Sequence, residues 1–564
     1  MLKNNQICLW LFMLCVYPFC TFSQQDPTIF TCTELLGRPT DRSVTLNLCT
    51  DHEVEIFVEY GLQPDSYTDR TVTHTLQKNV PYDLLIDHLV ANATYFYRVC
   101  YRSPNMAIFS HRAEHSFRTA KPRGAEFTFC VEADPHLDYN TDPELYRLTL
   151  TNISQDQPDF LIDLGDSFMS DKLKQKTQDS ILYRHQLLRS FFAEVGHSLP
   201  LYLVLGNHEG EYSYWLNGTE NNLAVMASRA RLSYFPNPSP DSFYSANHRV
   251  EPFIGLRENY YAWEWGDALF VVLDPYWNIM SRQGDNWRYT LGKEQYDWFQ
   301  AELAKSDATF KFVFCHQIVG GQDAQGRGGS DVAQYFEMGG LNADSTWGFS
   351  EHRPGWELPL HQLMVQYHVN VFFHGHDHFY ACQEKDGVIY QLLPQPGFPG
   401  NNSTNQATNY GYFTGQIIPG SGYLRVAVTN TTARVEFVRS LLPAMESNDK
   451  KNGVIEHTYT LSARPTRINV GPHSTTPSQF KLQQNYPNPF NAGTIIRFSN
   501  QKTGLLTLDL FNCCGQWVKS VLQAELPAGE YSIPLDASSL ATGLYFYRLS
   551  CGEQVQVRKM VCQK

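Results

Sequence analysis

Beyond residue 19 the sequence has no long hydrophobic run, it has no excess of basic side chains, and it has no Cys-x-x-Cys pair. The first absence excludes a polytopic membrane protein, whose spans need about 20 consecutive apolar residues. The second weighs against a nucleic-acid polymer as partner: 44 Lys and Arg against 57 Asp and Glu give a formal charge of -13, and such a balance offers no long-range attraction to a phosphate backbone. The third removes the zinc-knuckle and dithiol-redox readings. What the chain does have is apolar bulk. Over 564 residues, 42% are hydrophobic, with 35 Phe, 32 Tyr and 10 Trp, enough to fill the cores of several domains.

The N-terminus reads as an export signal. Lys3 supplies a positive end, Ile7 to Phe19 is a short apolar run, and Thr21 and Ser23 are small residues placed for cleavage. Cleavage is expected after Ser23, giving a signal peptide over 1–23; the alternative, an uncleaved anchor, is opposed by Pro18 and by the polar Gln24, Gln25 and Asp26. Loss of Cys8, Cys15 and Cys20 with the signal leaves ten of the 13 cysteines. Export permits disulfides, but spacing alone does not say which of the ten pair.

From 26 to 120 the pattern is short and alternating, with Val54 to Tyr60 and Thr94 to Tyr101 as clear strands, which predicts a small β-sandwich. Between 125 and 462 the pattern changes. Five apolar runs, each suited to a strand buried on both faces, end in polar residues able to bind metal: Asp134 with His136, Gly165 with Asp166, the Gly206-Asn207-His208-Glu209 string, His316, and the Gly375-His376-Asp377-His378 string. Helical stretches such as Thr141 to Ser154 and Lys293 to Ser306 alternate with them, so a layered α/β core is expected, with its site at the strand ends. A Pro, Ser and Thr-rich linker follows over 463–481, then a small β-rich unit over 482–564.

Individually these pieces are weak; five in order, each behind a buried strand, are not. Carboxylate, imidazole and amide donors without a thiolate suit Mn, Fe, Zn or Mg. A carboxylate shared between two such ions sets the spacing that two-metal hydrolysis needs.

As a set, the five blocks resemble the calcineurin-like metallophosphoesterase superfamily. The resemblance implies a four-layer α/β/β/α fold and two divalent or trivalent ions. One would be held by Asp134, His136, Asp166 and His378, and the other by Asp166, Asn207, His316 and His376. It further implies hydrolysis of a small phosphoester by water activated between the ions, with His208 assisting the leaving group; Glu209 is expected to orient His208. The N-terminal strands around Leu89 and Tyr95 resemble fibronectin type III domains and the N-terminal domain of purple acid phosphatases. The site departs from the latter, having Met169 where those enzymes carry a tyrosine ligand and His136 where they carry glycine, so an iron(III)-tyrosinate centre is not expected. In the long Gly-rich stretch from Gln317 to Pro354, His352 and Arg353 are candidates for substrate contact.

The C-terminal string Asn485 to Asn491 (NYPNPFN), with Gly543 to Leu549 and the ending Lys559-Met560-Val561, resembles the sorting domain of type IX secretion substrates. That resemblance implies a bacterial protein handled by the type IX machinery and then released or held at the outer-membrane surface. Two rivals stand beside a secreted phosphatase: a phosphodiesterase or nucleotidase, and a surface binding protein whose phosphoesterase domain is vestigial.

Overall fold

Aromatic residues at alternate positions of the predicted strands dictate the core. In the computed structural model, which describes residues 29–400, 404–463, 479–485, 488–490, 493–526, 528–537 and 540–563, Phe127 and Phe129 point from one sheet into a second sheet that contributes Trp263, Phe270, Phe312, Phe314 and Phe373. Phe129 meets Phe270 edge-on at 5.1 Å, and Phe314 stacks on Phe373 at 4.9 Å. Rings of this size each remove 150–250 Å² from water, so this seam between the sheets holds the central region together. The expected signal peptide and most of the expected linker lie outside the described residues.

The first sheet has nine strands. Its centre is Phe127–Glu132, Phe160–Asp163 and Leu201–Leu203, paired in parallel, with Gly422–Val428, Thr432–Arg439 and Ile455–Ser462 added antiparallel on one side. The second has eight strands, built around parallel Ala268–Val272, Phe310–Phe314, Val371–His374 and Val388–Leu392. A hairpin, signalled in the sequence by the Gly-Asp turn, pairs Tyr261–Trp265 with Ala268–Val272 around Gly266 and Asp267. Helices cover both outer faces. Pro143–Gln155 and Gln178–Phe192 bury Leu150, Leu188 and Phe191 against Cys130 and Leu161. Lys293–Lys305 and Leu360–Gln366 bury Phe299 and Leu363 against Val313 and Phe372. This is the layered α/β/β/α arrangement. The first of these helices starts where its sequence says it should: Asp142 accepts from the backbone N–H of Glu144 at 2.9 Å and Leu145 at 3.2 Å, and Pro143 fills the first position.

The N-terminal β region packs two sheets around Leu46, Val58, Tyr97 and Phe117. Tyr95 accepts the Val90 N–H at 3.1 Å, tying the strand back to its preceding turn. One feature has no signature in the sequence: Phe30–Gly37 runs alongside Leu201–Leu203, with Gly37 opposite Leu201, so that three N-terminal strands extend the central sheet. The C-terminal β region has its own core around Leu506, Leu508, Tyr547 and Met560, formed by a three-stranded and a four-stranded sheet. No helix among the described residues is long and apolar enough to cross a membrane.

Candidate metal centre

All five polar blocks lie in the loops just after parallel strands, where the backbone has left its ladder and can turn side chains inward. The turns are tight. Asp134, His136, Asp166, His376 and His378 all hold positive φ, between 47° and 78°, a conformation costing roughly 1–3 kcal/mol at each non-glycine position. The neighbouring glycines are required by contact: a Cβ on Gly375 would sit 2.5 Å from Asp134 Oδ2, and one on Gly206 would sit 2.3 Å from Asp166 Oδ1.

These turns bring together Asp134, His136 and His378 as one group and Asp166, His316 and His376 as another, with donor atoms within 4.8 Å of each other in each. His316 Nε2 is 3.0 Å from Asp166 Oδ2 and 3.8 Å from Asp134 Oδ1; His378 Nε2 is 3.4 Å from Asp134 Oδ1; His136 Nε2 is 3.7 Å from Asp166 Oδ2. Asp166 therefore stands between the two groups. Two ligand atoms each about 2.1 Å from one ion come roughly 3.0–3.5 Å apart, so this spacing is that of a coordination shell.

The unpaired atoms test whether cations fit. Asp134 Oδ1, both ring nitrogens of His136, Asn207 Oδ1, His316 Nε2 and His376 Nδ1 are buried without a hydrogen-bond partner, and a buried polar atom left so costs about 1–3 kcal/mol. The opposite nitrogens of two rings are fixed. His316 Nδ1 donates to the Leu164 carbonyl at 2.8 Å, and His376 Nε2 donates to the Gln325 carbonyl at 2.9 Å. A carbonyl can only accept, so the other nitrogen of each ring keeps its lone pair for a metal.

Electrostatics agree. Burial alone would raise both acids, but the surrounding imidazoles, His316 first, hold Asp134 below and Asp166 well below the usual carboxylate range. Burial also disfavours charge on His316, yet Asp166 and Asp134 push it up to about 10. A point that draws a proton so strongly favours any cation placed there. Two cation sites, each made of His and Asp side chains, are thus present.

His208 lies beside the cluster, its Nε2 4.0 Å from Asp166 Oδ2. Burial lowers this imidazole, but Asp166 and Asp171 outweigh it and raise it above its ordinary value. Its partner corrects an expectation. Glu209 does not reach the His208 ring; its carboxylate accepts backbone N–H groups of Gly206 at 2.7 Å, Ser167 at 2.9 Å and Asp166 at 3.2 Å, clasping two of the loops. Burial, with Asp166 nearby, raises Glu209 to about 8. Asp171 holds the ring, Oδ1 to Nδ1, at 2.7 Å. The only sequence signal for Asp171 is its place five residues past Asp166 in the same loop.

His352 and Arg353 have partners within their own surroundings. Arg353 pairs through Nε with the buried Glu337, and it donates to the carbonyls of Trp287 at 2.6 Å, His352 at 2.9 Å and Tyr289 at 3.2 Å. His352 lies flat on Trp287, ring centroids 4.4 Å apart. Both brace their loop through these contacts. The same Gly-rich stretch does reach the centre through its backbone, by the Gln325 carbonyl on His376 and by the Gly328 N–H, which donates to Asp377 Oδ2 at 2.9 Å.

The family comparison agrees with this geometry. The calcineurin-like phosphoesterase family matches residues 127–380, and the secretion system C-terminal sorting domain matches residues 484–563. No curated protein matches the chain. Among solved structures it resembles PhoD, with a TM-score of 0.55 at 15% identity over 77% of this chain and 91% of that one. It also resembles GAP50, the anchor in the inner membrane complex of Plasmodium, with a TM-score of 0.33 at 13% identity over 60% of this chain and 89% of that one.

Proposed function

We propose that this chain, which carries a calcineurin-like phosphoesterase domain fused to a secretion sorting domain, hydrolyses small soluble phosphoesters outside the cytoplasm with two metal ions bound at the centre described above. The metal-dependent phosphoester hydrolase class follows from the domain and from the paired His and Asp groups; the size of the substrate and the individual residue roles are our reading. A small substrate is favoured because a chain of charge -13 does not attract a polyanion.

The observation that carries the reading is the convergence of unpaired, buried lone pairs on two adjoining points. Asp134, His136 and His378 would hold one ion and Asn207, His316 and His376 the other, with Asp166 available to both. Bound there, such a pair supplies a nucleophile from water near neutral pH and neutralises charge on the phosphoryl oxygens. With Nδ1 held by Asp171, His208 presents Nε2 to the departing oxygen, which it hydrogen bonds or protonates. Glu209 keeps the Asp166 and Asn207 loops in register through three backbone N–H groups.

The test is metal analysis of the purified protein beside its hydrolysis of chromogenic phosphate mono- and diesters. About two ions per chain are expected, with activity lost on chelation and restored by added Mn, Zn or Fe. Protein that holds no stoichiometric metal after loading, or that hydrolyses neither ester, overturns the proposal. The ratio of the two ester rates separates phosphatase from phosphodiesterase.

A further inference from the structure

Ten cysteines fall among the described residues. Two of them face each other. Cys32, on Phe30–Gly37, is the register partner of Cys49, on the antiparallel Val44–Thr50 strand. No other two cysteines among the described strands are register partners. Residues directly opposed in such a pair have Cα atoms about 4.5–5.5 Å apart, inside the roughly 4.4–6.8 Å range that a disulfide bridges. Both side chains enter the same core, with Leu35, Leu188, Phe192 and Tyr234, and both are almost fully buried, at 4% and 2% exposure. The register is irregular on either side of Cys32, but both side chains turn into one core, on the same face of the strand pair.

We propose that Cys32 and Cys49 form an intrachain disulfide in the exported protein. Export takes the chain into compartments where disulfides persist. The oxidant is a thiol–disulfide oxidoreductase of the cell envelope in its disulfide form. One cysteine attacks as thiolate, forming a mixed disulfide and expelling one donor thiolate; the second cysteine then displaces the other donor sulfur. Two S–H bonds become one S–S bond, and the donor leaves as a dithiol with the two electrons and two protons. The thiols are closed off in the final fold, so the exchange belongs to the stage when the two strands first pair.

The position gives the crosslink a structural consequence. Arg189, from Gln178–Phe192, donates to the Thr33 carbonyl, and it reaches Asn47 Oδ1 at 2.6 Å. Both acceptors flank the cysteines. The stapled strands are those that extend the central sheet beside Leu201–Leu203, the strand that leads into Asn207 and His208.

Mature protein recovered from the medium or cell surface is denatured without reductant, alkylated, digested and analysed by mass spectrometry. The expected result is a Cys32–Cys49 crosslinked peptide that separates on reduction, with eight cysteines alkylated. The same chain made without its signal and kept in the cytoplasm is expected to alkylate at all ten. Finding both Cys32 and Cys49 alkylated in the exported protein, or either joined to another cysteine, overturns the proposal. Cys32→Ser and Cys49→Ser are each expected to expose the remaining thiol to alkylation under denaturing conditions and to lower the melting temperature as far as reduction of the native protein does. Should these variants fail to fold, the peptide map of the native chain decides alone. The outcome is independent of metal content and phosphoesterase activity.

Discussion

The leaving-group role proposed for His208 requires a fixed ring with one nitrogen available, and the 2.7 Å contact between Asp171 Oδ1 and His208 Nδ1 would provide both. Asp171→Asn keeps the size and one hydrogen bond but loses the charge that orients and favours the imidazolium. Losses of about 10–100-fold are typical when a partner of this kind is removed. The expected outcome is a fall of that size in kcat with KM and metal content little changed, and larger for esters of poor leaving groups than for nitrophenyl esters. A loss equal for all leaving groups would mean that Asp171 only supports the loop. At this scale the sequence disclosed the ligands better than their supports. Asp166 and His376 were legible because each follows a glycine in a recognisable block, and Asp134 because His136 stands two residues on behind a buried strand, but the partner of His208 was not. Chain adjacency favoured Glu209, while the fold turns that carboxylate back onto three backbone N–H groups and brings Asp171 across from another loop.

Ligands on loops are only as well placed as the elements beneath them. The loop carrying Asn207 and His208 continues into Glu211, which is buried and pairs with Arg231 of Leu223–Tyr234 at 2.6 Å and with Arg257 at 3.4 Å; Arg257 in turn meets Asp274 at 3.1 Å, just past Ala268–Val272. Burial opposes ionisation of Glu211, but the two guanidiniums win, Arg231 first, and bring it from 4.5 down to about 2. A folded value below the unfolded one means that the stabilisation is complete above pH 4.5 and is lost as pH falls from there towards 2, by about 3 kcal/mol in all. Glu211→Gln leaves both arginines charged and under-paired, so at pH 7 it is expected to cost about 3–5 kcal/mol in denaturant unfolding. The gap from the native protein should narrow below pH 4.5. A gap constant from pH 7 to pH 3 would show that Glu211 contributes shape and not charge.

Elements were legible where a local pattern carried them. The apolar runs gave the strands that end in ligands, and Gly266 with Asp267 gave the hairpin. The pairing of Gly37 with Leu201 was hidden because a single parallel contact between distant segments leaves no periodic trace. The occupation of Arg353 was hidden for a related reason: Glu337 and the Trp287 carbonyl reach it only after three loops have folded together.

At the scale of the whole molecule, catalysis and delivery reside in different cores. Residues of the C-terminal string close that unit on itself. Asn488 Oδ1 accepts the Val561 N–H at 2.9 Å, the Phe490 N–H donates to the Val561 carbonyl at 3.0 Å, and the Asn485 N–H donates to the Tyr547 hydroxyl at 2.8 Å. The string thus anchors the start of the unit to its last strands, which explains why it can be read in the sequence as one motif with the chain ending. Among the described residues the strands of its two sheets pair only within this unit, whereas the first central sheet ends at Ile455–Ser462. A chain ended after Gln479 therefore keeps every residue of the metal centre and of the seam between the central sheets. Such a protein, purified from cells, is expected to bind metal and hydrolyse phosphoesters as the full chain does, while the medium and cell surface lose both the protein and its activity. Undiminished export would remove the sorting role from this unit. Loss of metal binding in the shortened protein would show that the two cores depend on each other, against the separation of their hydrogen-bonded sheets.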